Sequence, residues 1–449
     1  MLSWLAKPEE WGIEAVPPER RRLRAVDLGV LWFSLGVGFL VLFAGAFLVI
    51  LFGLSLFEVL LVSVTGSILG SLMLAAAGLL GARHGVPTMV SLRPVLGRKA
   101  SWAPSALNAF QLFGWASFEL MIMGVALTFV SGPVLGPATV YVWIGVLTVW
   151  VTLLALGGPL VVVRVWLERV AIWLVLASGA YLTYVTVSNP NFAASFFAPS
   201  TAGDRPLGLA MDLVIAMPIS WWPLVADYNR FARRARESFT GTFVGYTLSN
   251  SWFYFLGAAL LVVFGLAGDT AGPVAFVGAI VGLVLGFLVT LLIVVDETDN
   301  AFANVYSTAV SAQNIAPRAR QRWLVIGVGA VSFVVGAILA SRVDVFAPLY
   351  EGFLLFIGGV FVPLLGVVVA DQVVRRTHDA SEFREGAPGV RVVAIVAWGV
   401  GVAAYYGITL LPDVVASPVG ASLPSFGLAA LVHLVGSRFS APAAGRAPA

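Results

Sequence analysis

Apolar residues in this chain run in long uninterrupted blocks, and polar residues collect between the blocks. A bilayer core takes roughly 20 apolar residues per helix, or about 17–25 with tilt. Twelve blocks meet that length, at 27–51, 57–82, 104–131, 139–157, 165–188, 207–227, 241–267, 286–312, 322–340, 349–370, 390–410 and 420–437; they are spans 1 to 12 below. The stretch 273–317 is too long for one helix at about 1.5 Å per residue, so 273–284 is expected as a separate short extracellular segment before span 8.

Composition sharpens this picture. The 449 residues are 59% hydrophobic and 11% charged, with a mean hydropathy of +0.96. A soluble globular chain carries about 25% charged residues, so the solvent of most of this one is lipid. That excludes a nucleic-acid binder, a disulfide scaffold and a disordered tail protein. With no Cys and three His, at 84, 378 and 433, thiolate catalysis and Cys-ligated metal sites are absent, and a His-ligated centre has little support.

Charge fixes the expected orientation. Of the 26 Lys and Arg residues, all but Arg205 and Arg342 fall in the termini or the even-numbered loops. The positive-inside rule makes that side cytoplasmic and places both termini inside. The first span is too long, and lacks the small-residue cleavage pattern, for a removable signal peptide. The expected organisation is a cytoplasmic segment 1–26, spans 1–5 over 27–188, spans 6–10 over 207–370, spans 11–12 over 390–437 and a disordered cytoplasmic tail 438–449, in a multi-pass protein of the cell membrane.

A carboxylate at bilayer depth costs about 2.5–3.5 kcal/mol on insertion scales, so intramembrane acids ask for a reason. Span 3 carries Trp115 and Glu119 one turn apart on one face, roughly 16–20 residues past Lys99 and so near mid-depth. They read either as a binding pair or as a core Trp beside a Glu bonded to a neighbouring helix. Span 6 contains Met217-Pro-Ile-Ser220-Trp221-Trp222-Pro223. Two prolines there should open the helix onto a polar cavity; the plainer alternative is a kink with interfacial Trp anchors. Span 8 holds Asp296-Glu297-Thr298-Asp299-Asn300 and Asn304, with no basic residue between Arg236 and Arg318. These acids face a cavity where cations or protons neutralise them, are themselves protonated, or lie in a loop if the span starts later. In span 1, Gly36 and Gly38 permit local unwinding. Weak points in spans 1 and 6, and polar clusters in spans 3 and 8, are each five spans apart, the pattern of an inverted-repeat secondary transporter with a midplane site.

Six stretches carry a family resemblance: Trp11-Gly-Ile-Glu-Ala-Val-Pro-Pro-Glu-Arg20, Gly81-Ala-Arg-His-Gly-Val-Pro-Thr88, Leu112-Phe-Gly-Trp115, Ala226-Asp-Tyr-Asn-Arg-Phe-Ala232, Thr298-Asp-Asn-Ala-Phe-Ala-Asn304 and Val369-Ala-Asp-Gln-Val373. In these the chain resembles the nucleobase:cation symporter-1 family, the cytosine, purine, allantoin and hydantoin permeases. The resemblance implies an all-α membrane protein of leucine-transporter type, with a 5+5 inverted repeat, twelve transmembrane helices and peripheral spans 11–12. It implies that Trp115 stacks on a flat heterocycle, Glu119 bonds its edge, span 6 contributes near Pro218 and Ser220 with Trp221, and Asn300 or Asn304 reads the ring. The implied cation, Na⁺ or H⁺, lies between carbonyls around Gly36 to Gly38 and the Thr298 hydroxyl. Relatives often have an amide where Glu119 stands and a hydroxyl where Glu297 stands. A carboxylate only accepts, so Glu119 favours an edge with two adjacent N–H donors unless it is protonated, and Glu297 offers an oxygen ligand or an exchangeable proton.

The function expected is secondary uptake of a planar nitrogen heterocycle, cytosine or another nucleobase, by symport with alternating access and without a bound cofactor. A hydroxymethylpyrimidine, hydantoin or allantoin permease is the near alternative. A channel would need no coupled ion, and an integral-membrane enzyme built on the span 8 acids would lack a second catalytic group. The expected partners are the small-molecule cargo and membrane lipid, with no nucleic acid; twelve spans leave the oligomeric state open.

Overall fold

The computed structural model describes residues 11–158, 172–201, 207–266, 273–375, 377–384, 386–411 and 417–440. All twelve expected spans coincide with helix there. The first residues of span 5 and nearly all of the C-terminal tail lie outside the described residues. Among the described residues, eight helices are long and apolar enough to cross a membrane by themselves, and span 1 qualifies as a broken pair, Ala25–Ser34 and Phe39–Ile50, bent by 62°. The helix of span 5, Ile172–Val187, is short but apolar, span 8 (Gly286–Ile315) carries its three acids, and span 12 is Ser422–Ser440. The separate helix expected before span 8 is Pro273–Val281.

Two bodies organise the bundle. Span 7 (Ala235–Val263) packs along both halves of span 1 and along span 2 (Leu56–His84), which also holds span 6. Span 8 packs along span 3 (Trp102–Ser131), while span 9 (Gln321–Ser341) lies on spans 3 and 4. Lipid supplies no hydrophobic drive between helices, so small residues and close backbones do the work. A Cβ on Gly257 would run into the Leu42 carbonyl, and one on Gly45 into that of Tyr254, which is why spans 1 and 7 touch backbone to backbone.

Span 6 departs in detail from its expected opening. Leu207–Trp221 stays helical through Pro218, and the irregular turn falls at Trp222–Leu224, with Pro223 inside it, before the short helix Val225–Asn229. Pro218 packs on Gly70 of span 2. The second proline sits where the helix is already leaving α geometry, so its missing N–H costs little there.

Spans 11 (Val392–Leu410) and 12 pack on span 10 (Phe346–Val374). Span 12 is also fastened to span 6: Asp212 accepts from the Ala421 and Ser422 N–H groups at its start, filling donors that a helix N-terminus leaves open. At the other end His433 Nε2 lies 3.3 Å from Asp371 Oδ1. His378 Nε2 lies 3.6 Å from Asp371 Oδ2, and the His84 ring sits 4.4 Å from that of Phe383, so three histidines far apart in sequence gather at one end of span 10.

Candidate functional site

The break in span 1 is held open by span 8. Glu297 Oε2 accepts from the Phe39 N–H at 2.9 Å, so it caps the second half-helix, where an anion meets the positive end of the dipole. Asn300 Nδ2 donates to the Val37 carbonyl at 2.9 Å, satisfying an acceptor freed by the break. Gly38, with φ of +148°, lies so close that a Cβ would enter the Glu297 carboxylate. Gly36 faces elsewhere, toward the Ser249 hydroxyl of span 7. Of the expected cation-site residues, Gly38 and Glu297 therefore meet directly. Thr298 turns its hydroxyl onto the Val295 carbonyl of its own helix at 2.7 Å.

Beside this break lies a small cavity lined by Trp115, Glu119, Ser220, Trp221, Glu297 and Asn300, closed by Leu35, Leu40, Val41 and Met217. It encloses about 20 Å³, space on the order of one water molecule. Trp115 presents its ring edge-on to Tyr350 and Phe353, at centroid distances of 5.7 and 5.2 Å. Trp221 meets Trp32 edge-to-face at 6.3 Å. Asn304 Nδ2 lies 3.0 Å from each oxygen of Glu119 and so joins the cavity through that acid. Pro218, against span 2, does not line it.

Two amides that the sequence reading gave no role hold the site in place. Gln111 Nε2 donates to the Ser220 carbonyl at 2.9 Å and to Asn108 Oδ1 at 2.8 Å. Asn108 Nδ2 reaches the Pro223 carbonyl at 3.2 Å and Ser311 Oγ at 2.8 Å. Span 3 thus satisfies the carbonyls that the span 6 turn releases. The available signal was an amide pair at i and i+3, one turn before Trp115, in an otherwise apolar span.

Deeper in span 8, Asp296 Oδ1 accepts from Ser34 Oγ at 2.7 Å, while neither oxygen of Asp299 accepts a hydrogen bond from a described residue. Among the described residues no group of three or more His, Cys, Asp and Glu is arranged to hold a metal ion.

The motif that closes span 6 is structural. Buried Arg230 donates to the Gly12 carbonyl at 2.7 Å and to Tyr306 Oη at 3.0 Å; Asn229 Oδ1 accepts from Trp32 Nε1 at 2.9 Å; Asp227 Oδ1 accepts from the Thr88 N–H at 3.0 Å. These bonds tie the N-terminal segment, span 1, the 2–3 connection and span 8 together at the Arg-rich face.

Residues 15–426 match the family model described as permease for cytosine/purines, uracil, thiamine, allantoin. The cytosine permease of Escherichia coli strain K12 is 27% identical over 381 residues, covering 83% of this chain and 82% of that protein. The closed, bromovinylhydantoin-bound structure of Mhp1, a nucleobase-cation-symport-1 family transporter, superposes with a TM-score of 0.80 at 18% identity, covering 95% of each chain. The inward-facing form of Mhp1 gives 0.74 at 18% identity, over 95% of this chain and 92% of that one. The likeness shows the all-α, leucine-transporter-type membrane fold.

Proposed function

The chain belongs to the family of permeases for cytosine/purines, uracil, thiamine and allantoin, and on that premise we propose that it imports a planar nitrogen heterocycle, cytosine or another nucleobase first, by cation symport with alternating access. One observation carries the reading: Trp115, Glu119, Ser220, Trp221, Glu297 and Asn300, drawn from spans 3, 6 and 8, surround one cavity against the broken span 1. Aromatic faces supply stacking, the acid and amides supply edge recognition, and the broken helix supplies half-helix ends for charge.

The cavity is far smaller than a heterocycle, and the chain superposes better on the closed than on the inward-facing form of Mhp1. The site in this state is occluded. Loading requires the Trp115 and Trp221 walls to part, with Asn304 releasing one oxygen of Glu119 to the ring edge. Both span 8 amides stand as ring readers: Asn300 lines the cavity while donating to the Val37 carbonyl, and Asn304 reaches it through Glu119.

For the coupling cation, Na⁺ or H⁺, the same break is our candidate, with Glu297 and the Gly36 to Gly38 backbone as surroundings and Thr298 able to join only if its hydroxyl leaves the Val295 carbonyl. The protein lies in the cell membrane, and the Arg-rich face with both termini is assigned to the cytoplasm. A hydantoin, allantoin or hydroxymethylpyrimidine would fit the same clamp, and an ionised Glu119 favours a ring with two adjacent N–H donors, whereas a protonated one offers a donor of its own.

The test is uptake of labelled cytosine into cells or vesicles containing the protein, competed by a panel of heterocycles, with and without Na⁺ and across pH. Saturable accumulation against a gradient, of unchanged substrate, supports the reading. Conductance without gradient coupling makes the chain a channel, and chemically altered substrate makes it an enzyme.

A further inference from the structure

Remote from the span 1 break, at the Arg-rich face, residues 13–15, the 2–3 connection, the end of span 8 and the 10–11 connection enclose a cavity of about 1050 Å³. Its wall carries three guanidinium groups, Arg93, Arg98 and Arg384, with Trp102 and Phe383 as apolar surface. Glu14 is the single acid among the described residues that line it.

Arg93 is the telling member. It is only 7% exposed, and its partners are neutral: Nε donates to Asn314 Oδ1 at 2.8 Å and Nη1 to the Phe383 carbonyl at 2.9 Å. No carboxylate among the described residues pairs with it. A buried charge without a counter-charge is expensive. Burial, followed by the neighbouring charge of Arg98, pulls the Arg93 guanidinium below its ordinary range, and Glu14 offsets only part of this. An anion entering the cavity relieves both effects at once.

We propose that this cavity binds an organic phosphate, with Arg93, Arg98 and Arg384 meeting the phosphate and the organic part lying against Trp102 and Phe383. Guanidinium forks match phosphate oxygens two at a time, which favours phosphate over a simple halide. Two sources offer this chemistry, a soluble phosphorylated metabolite and the headgroup of an anionic phospholipid, since basic recesses between helices at a cytoplasmic face take such headgroups. The site shares no lining residue with the heterocycle cavity, so the proposal is independent of which ring the chain carries.

The experiment uses the full chain, purified in a neutral detergent. One arm titrates cytidine monophosphate and inorganic phosphate, at ionic strength fixed with chloride, and reads calorimetric binding. The other compares thermal midpoints in phosphatidylcholine nanodiscs with and without phosphatidylglycerol. Arg98→Gln and Arg384→Gln, at the rim, are the variants, and Arg93→Lys keeps the charge but removes the fork. Saturable binding in the first arm, weakened about tenfold by each rim variant, assigns the soluble ligand; a lipid-dependent midpoint rise lost in the same variants assigns the headgroup. No phosphate-specific response in either arm overturns the proposal, and so does a response that the Arg98→Gln/Arg384→Gln double variant retains in full.

Discussion

The Nδ2 amide of Asn304 lies 3.0 Å from both carboxylate oxygens of Glu119, bridging span 8 to span 3 across the wall of the cavity. Each residue thereby satisfies the other while the site is closed, and substrate binding becomes an exchange of partners. Glu119→Gln adds a donor where the wild type only accepts, so it should reorder which heterocycles compete. Asn304→Ala should cost about 1–3 kcal/mol in stability, because it strips a buried acid of its donor. A double-mutant cycle on the two substitutions, read by thermal unfolding, should give a coupling well above zero; strict additivity would separate the pair.

Stacking is tested at Trp115. Trp115→Ala should abolish measurable binding and Trp115→Phe should keep part of it, since stacking is worth about 1–3 kcal/mol and tolerates another flat face. Competition binding on folded variants checks this. Wild-type affinity in the alanine variant would return Trp115 to a packing role against Tyr350 and Phe353.

Coupling is tested at Thr298 and Glu297. With a Na⁺ site at the break, Thr298→Ala should weaken Na⁺ stimulation of substrate binding, and by linkage substrate should then promote Na⁺ binding less. With proton coupling, transport should follow pH, Glu297→Gln or Asp299→Asn should uncouple it, and Thr298→Ala should be mild. Binding titrations with and without Na⁺ at fixed pH decide between them, and a wild-type affinity indifferent to Na⁺ would end the Na⁺ assignment.

Gln111→Leu removes the donor that Ser220 and Asn108 share. Expected are a stability loss of about 1–3 kcal/mol and weaker substrate binding, because the end of the span 6 helix, with Ser220 and Trp221, loses its anchor. Thermal midpoint and affinity should fall together; a drop in neither would show that the turn holds itself.

A pH effect is expected at His378, outside the spans. Burial lowers its pKa from the ordinary 6.5, opposed by Asp371, with Arg375 and Arg391 acting to lower it and Glu382 to raise it. The folded state therefore binds fewer protons than the unfolded one. Its contribution is complete above the ordinary imidazole value and is lost as pH falls below it toward the folded pKa. His378→Asn should flatten the decline of thermal midpoint between pH 7.5 and pH 5.5, and parallel curves for variant and wild type would remove His378 as the cause.

Spans were legible because twenty apolar residues in a row have few alternatives to crossing a bilayer, and the arginines mark one side of it. The span 8 acids were legible as well, since an uncompensated carboxylate in lipid advertises a polar environment. Their individual tasks were not. The resemblance implies a cation or proton role for Glu297 and a ring contact for Asn300; nothing in the sequence tells that Glu297 also meets a half-helix N–H and Asn300 a freed carbonyl. The irregular turn of span 6 falls at Pro223 and not at Pro218, around which the helix stays unbroken, with the Pro218 ring packed on Gly70 of span 2. Asn108 and Gln111 passed unnoticed since an amide in a membrane helix says nothing about which carbonyl it will find.

The Asp212 carboxylate, seated on the first N–H groups of span 12, changes the standing of the two outer spans. Span 6 supplies Met217, Ser220 and Trp221 to the cavity wall, and the same helix carries the anchor of span 12. A chain cut after span 10 would leave Asp212 buried without its two backbone donors, so such a truncation should lose stability. Spans 11 and 12, packed on span 10 and tied to span 6 through Asp212, are thereby fastened to two helices of the second repeat.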